Sequence, residues 1–244
     1  MNDNIPAPAT LILDLIASKE APRGYDTVYG NRMKDMPQPL TTMTLDAVIE
    51  QGSWRTKKFG SSACGRYQFM KATLQNLKKL LKLTGKEIFT PDFQDTLGFK
   101  LLQDRGYQKF ITGQMGATAF GDQIAMEWAS FPVLSVERQG AHRTARRGET
   151  YYAGDKLNMV LIKPRAVEYV LTEARKMNPA IPAGSIVPPV KPAPVPTAPE
   201  VVAVLPKPLP GTVAGLPPAT APTAPVASGG LLSRLWAHLT GRAA

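Results

Sequence analysis

The chain has 244 residues, 43% of them apolar, with a net charge of +10 and a single cysteine, Cys64. That length allows one or two domains. One cysteine excludes an intramolecular disulfide and a cysteine-based zinc site, and two distant histidines, His142 and His238, give no ligand spacing. No metal or other cofactor is therefore expected. Positive charge raises encounter rates with polyanions of any kind, so by itself it does not choose among nucleic acid, anionic lipid and a carboxylate-bearing wall polymer.

In chain order, Leu11, Ile12, Leu15 and Ile16 follow helical spacing, and Pro22 and Gly24 stop that helix just after Lys19-Glu20. The start of the chain lacks a basic lead and its apolar run is broken by Asp14, which does not suit a cleavable signal peptide. Synthesis in the cytoplasm, with export by another route, is the expectation. Gly24 to Leu40 is rich in Gly, Pro, Asn and Asp and suits a short hairpin or irregular lobe. Thr44 reads as the N-cap of a brief helix over Leu45 to Gln51. Small polar residues make Gly60 to Gly65 a loop, and helical patterning returns over Phe69 to Leu83. Thr90-Pro91-Asp92 opens a helix with a cap, a first-turn proline and an acid, ending at Arg105-Gly106. Further helices are expected over Ala117 to Ala129 and Lys163 to Met177.

Composition changes near Asn178. Of 23 prolines, 15 lie between Pro179 and Pro225, a tract unable to build a core. The expected division is a folded domain over residues 1–178, a flexible Pro/Ala-rich linker over 179–230 and a short amphipathic helix over 231–244. In that helix Leu231, Leu232, Leu235, Trp236 and Leu239 share one face, while Arg234, His238 and Arg242 share another. Such a helix on a tether suits docking to a membrane surface or to a partner such as a virion protein. The part after Asn178 carries four basic residues against Glu200, a net +3, which leaves +7 for the folded domain. No helix combines dense Lys/Arg with a DNA-reading pattern, so specific nucleic-acid binding is not expected.

A glutamate closing an apolar helix can be kept protonated by burial, as a general acid requires. Taken by itself, Glu20 is more often a solvated surface residue. Five motifs in order change that balance. They are Leu13-Asp14-Leu15-Ile16-Ala17-Ser18-Lys19-Glu20, Gly24-Tyr25-Asp26, Ser61 to Gln68 with its Gly65-Arg66-Tyr67-Gln68 turn, Pro91 to Asp95 with Arg105-Gly106, and Trp128-Ala129-Ser130-Phe131-Pro132. Together, from about Leu11 to Pro132, they resemble the phage lambda-type lysozymes, or endolysins. The resemblance implies an α+β, mainly α, lysozyme-like fold with a small β lobe. It also implies Glu20 as the single catalytic carboxylate of a lytic transglycosylase that cuts bacterial peptidoglycan without a metal.

Candidate substrate-binding residues are Gln68 and Tyr67, with polar heads for hydroxyl or N-acetyl groups, although Tyr67 can equally pack with its hydroxyl satisfied. Ser62 can bond Glu20 or cap a turn. Asp26, six residues beyond Glu20, keeps open a two-carboxylate hydrolase. The chain departs from the lambda enzyme in a short Glu20-to-Tyr25 segment and in a basic insertion over Gln139 to Arg147. The stretch that follows, Thr150 to Asn158, is similar to one in related phage muramidases. There Tyr151 can stack on a sugar ring and Asp155 can accept a sugar hydroxyl, or the pair can serve a turn over the core. Lys78, Lys79 and Lys82 read as a solvated helix face or, together with Arg143, Arg146 and Arg147, as a cluster that attracts the anionic wall; Glu127 and Trp128 read as core support, and Cys64 as a buried filler. A non-catalytic virion or wall-binding protein on the same fold is the competing class.

Overall fold

The structure, a computed structural model, describes residues 2–155 and 158–178. The expected linker and C-terminal helix lie outside the described residues. Among the described residues eight α-helices run in the order α1 (Ala7–Glu20), α2 (Leu45–Glu50), α3 (Gly52–Phe59), α4 (Lys71–Leu80), α5 (Pro91–Asp104), α6 (Tyr107–Ile111), α7 (Ala117–Glu127) and α8 (Pro164–Lys176), with a strand pair β1 (Glu137–Gln139) and β2 (Thr144–Arg146) before α8. The described chain is thus mainly helical with one small two-stranded antiparallel sheet, in which Arg138 faces Ala145. Among the described residues no helix is long and apolar enough to cross a membrane.

Helix α1 is buried on nearly every side, through Pro8, Ala9, Leu11, Ile12, Leu13, Leu15, Ile16 and Ala17. An apolar surface all round marks a central helix rather than an amphipathic one, and α1 packs against both α8 and α5. Its polar interior residue, Asp14, is neutralised by Arg66 at 2.6 Å. The helix closes when the Ala21 N–H reaches the Ala17 carbonyl, and Pro22 and Gly24 (φ +95°) turn the chain away. Helices α2 and α5 start at the expected caps: Thr44 accepts from the Ala47 N–H and Thr90 from the Phe93 N–H.

Of the two forms expected for the Gly24–Leu40 stretch, hairpin or irregular lobe, the irregular one is observed. It winds through short 3₁₀ turns at Tyr29–Asn31, Met33–Asp35 and Leu40–Thr42, and its one ladder-type contact among the described residues is an isolated bridge from Val28 to Cys64. Its Gly, Pro and Asn residues suit turns and leave no alternating run for a ladder. The paired strands sit instead in the basic insertion, where Val133, Ala145 and Ala153 form a small core with Tyr151 against it.

Candidate active site

Glu20 ends α1, and its Oε1 accepts a 2.5 Å hydrogen bond from the Ser130 hydroxyl, with the Ser130 backbone N–H as a further donor. Burial pushes the Glu20 carboxyl above its ordinary value of 4.5, and the Ser130 donors pull it part of the way back. A carboxyl held in that way keeps its proton closer to neutrality, as a general acid must.

The turn Cys64–Phe69 is closed by reciprocal backbone bonds, Cys64 N–H to Phe69 O at 3.1 Å and Phe69 N–H to Cys64 O at 2.8 Å. Within it Gly65 (φ +77°) is crowded: a Cβ there would lie 2.5 Å from Gln94 Oε1. Gln94 is fully buried and staples the turn in place, accepting from the Arg66 N–H and donating to the Tyr25 and Phe89 carbonyls. Gln68 adopts the left-handed region (φ +48°), uncommon for a side-chain-bearing residue and typical of sites whose surroundings dictate the backbone. Its Nε2 donates to the Gly65 and Thr27 carbonyls, which leaves Oε1 without a partner among the described residues.

The segment Trp128–Ser130 joins the two halves. Ser130 holds Glu20, while the Trp128 indole N–H donates to the Tyr67 carbonyl at 3.1 Å. The chain just beyond Glu20 is tied to the same turn, because Thr27 O accepts from the Gly65 N–H at 2.8 Å. Glu20 and the Tyr67–Gln68 turn therefore share one wall of the molecule.

Tyr67 does not present its ring there. It is 1% exposed, and its hydroxyl donates to Asp95 Oδ1 at 2.7 Å. Asp95, itself fully buried, also takes the Tyr25 hydroxyl at 3.0 Å and the Asn2 N–H. Ser62 Oγ accepts the Lys71 N–H at the start of α4, so the capping role is the one it fills. Asp26 Oδ1 accepts the Thr41 N–H, which anchors the 3₁₀ turn at Leu40–Thr42. Tyr151 lies edge-on to Tyr152, with the Arg138 guanidinium over its ring at 5.7 Å. Asp155 accepts from the Asn158 N–H and side-chain amide. These last two belong to the hairpin region. Glu127 pairs with Arg105 at 2.7 Å and Trp128 is buried, as core support requires.

Several contributors lie outside the expected site. Ser130 stood in the Trp-Ala-Ser motif without a role, and Gln94 and Asp95 stood only within a helix motif. Arg55 had no signal at all. It is completely buried, donates to the Ser62 carbonyl and to Cys64 Sγ, and has no carboxylate partner among the described residues. Burial pushes the Cys64 thiol up to about 11, so it remains neutral beside that guanidinium.

Glu20 is thus a buried, hydrogen-bonded carboxyl linked through Trp128–Ser130 to the Gly65–Gln68 turn. The family comparison is more specific: the endolysin family model matches residues 14–154, from within α1 to just past the Tyr151-Tyr152 pair, and the chain belongs to that family. Its substrate is accordingly peptidoglycan and its place of action the bacterial cell wall. No curated protein and no solved structure matches the chain.

Proposed function

We propose that this endolysin cuts the β-1,4 bond between N-acetylmuramic acid and N-acetylglucosamine as a lytic transglycosylase, on a lysozyme-like domain spanning residues 1–178. Glu20 in its protonated form gives its hydrogen to the glycosidic oxygen as the C1–O bond breaks, releasing the N-acetylglucosamine 4-hydroxyl. The 6-hydroxyl of the muramic acid ring attacks C1 and closes an anhydro ring. Its proton passes to the Glu20 carboxylate, which restores the starting state. Because the attacking group belongs to the same sugar, no second carboxylate nucleophile is needed.

The observation that carries this reading is the burial of Glu20 against Ser130, on the wall that also holds the Gln68 turn. Support for a single-carboxylate route comes from Asp26, whose Oδ1 is engaged by the Thr41 N–H. Gln68 Oε1 is the group we assign to a substrate N–H or hydroxyl. The decisive experiment digests purified peptidoglycan with the unmodified protein and with Glu20→Gln, and weighs the released muropeptides. Fragments lighter by one water mark the anhydro product; fragments carrying a reducing end mark a water-using muramidase instead. Undiminished release by Glu20→Gln rejects the assignment, and inactivity of the unmodified protein points to a wall-binding role.

A further inference from the structure

The outer face of α3 carries a feature the cleavage reaction does not use. Between α3, the end of α2 and the Met33–Pro37 turn lies a pocket of about 660 Å³, within the usual range for a small-molecule site. Trp54 lines it and is 38% exposed, large for an indole. Lys58 sits over one side of that ring, its Nζ 4.8 Å from the centroid, and is held there by a bond to the Asp35 carbonyl. Two acceptors share the pocket. Glu50 is exposed with no ion pair among the described residues, and Gln51 Oε1 is shielded from solvent without a hydrogen-bond partner.

The geometry points to an accessory saccharide subsite, which takes a ring of the N-acetylated glycan strand at a distance from Glu20. A pyranose offers an apolar C–H face for the indole together with hydroxyl and amide donors for Glu50 and Gln51. Met36 and Pro37 complete a wall suited to an acetyl methyl. A polyanion finds little net attraction there, because Glu50 offsets Lys58 and Asp35 is already paired with Arg32. The position suits a polymer as well. Arg55, the residue after Trp54 on α3, is inserted beneath Ser62–Cys64, so the same helix that lines the pocket also supports the turn that ends at Gln68. A strand seated at the turn extends past α3, and a second foothold there slows its release. The inference rests on the peptidoglycan reading for the identity of the sugar.

The test uses the full ¹⁵N-labelled chain carrying Glu20→Gln, so that the probe is not consumed, titrated with N-acetylchitotetraose. The chain has three tryptophans, and their indole N–H resonances report separately. The Trp54 resonance is expected to move saturably. Trp54→Ala and Glu50→Ala, both at exposed positions, are each expected to weaken binding to purified sacculi, the tryptophan change by about three- to tenfold. A Trp54 resonance that stays put at saturating sugar, or equal sacculus affinity of the Trp54→Ala protein, overturns the subsite. So does movement produced by free stem peptide and not by the saccharide. Failure of the cleavage reading shows elsewhere, as digestion of sacculi by the Glu20→Gln protein, and leaves the Trp54 result standing.

Discussion

Removing the Ser130 hydroxyl alters the balance that sets the proton affinity of Glu20. Burial raises it and the two Ser130 donors lower it, so Ser130→Ala deletes a restraint on the carboxylate form. The alkaline limb of the pH–rate profile on peptidoglycan is then expected to move to higher pH, with a stability loss of about 1 kcal/mol for the lost bond. An alkaline limb that moves downward contradicts this assignment. The same shift has a consequence for folding. Below pH 4.5 both folded and unfolded states hold the Glu20 proton, whereas above it the unfolded chain releases that proton first. Stability therefore falls as pH rises through the raised folded value. Glu20→Gln removes that penalty and keeps an oxygen for Ser130. Its Tm should exceed that of the parent near pH 8, the excess shrinking to nothing as pH falls toward 4.5. Glu20 itself was legible from its place at the end of an apolar helix before a Pro/Gly stop. Its partner was not, because a bond between residues 110 apart leaves no local trace in either segment.

At the level of elements, the closest fit in the site is between α5 and the Gly65–Gln68 turn. Gly98, midway along α5, faces the Tyr67 ring, and a Cβ there would lie 2.8 Å from Cδ2 and Cε2. Alanine in a helix interior gains about 1 kcal/mol over glycine, but overpacking a rigid ring costs about 1–3 kcal/mol. Tyr67 has little room to yield, being tied to Asp95 through its hydroxyl and to Trp128 through its carbonyl. Gly98→Ala is expected to lower Tm and to reduce peptidoglycan cleavage together. A raised Tm would show the ring to be free. Helices α2 and α5 were readable because Thr44, Thr90 and Pro91 announce them locally. Helix α3 was not: its buried anchors are Gly52 and Arg55, with no apolar stripe to reveal a period. Helix α6 spans five residues between Gly106 and Gly113, too short for a pattern. A small paired-strand element was expected, but its place at residues 137–146 was not readable, since turn-forming residues predict a change of direction and not which strands pair across it.

For the molecule as a whole, the +10 charge is unevenly available. The arginines of the basic insertion, which the sequence suggests as a wall-binding cluster, are largely spent within the fold: Arg143 pairs with Glu149, Arg146 with Glu137 and Arg147 with Glu168. On α4 and the turn after it, Lys79 and Lys82 are exposed, and neither has an ion-pair partner among the described residues, while the neighbouring Lys78 is held by Asp46. Attraction to a carboxylate-bearing wall should therefore come from the α4 side more than from the hairpin. Exposed charges act over the screening length, which shrinks from about 30 Å at 0.01 M salt to about 8 Å at 0.15 M. Cleavage of dilute sacculi is expected to slow across that range, while the rate at saturating sacculi holds, because encounter and not chemistry is being screened. Charge reversal at Lys79 and Lys82 should flatten the salt dependence more than reversal at Arg143 and Arg146. The hairpin pair instead should lower Tm, since Arg143 pairs with Glu149 just beyond β2 and Arg146 with Glu137 of β1. Equal salt slopes for the two double variants would return the wall-facing role to the insertion.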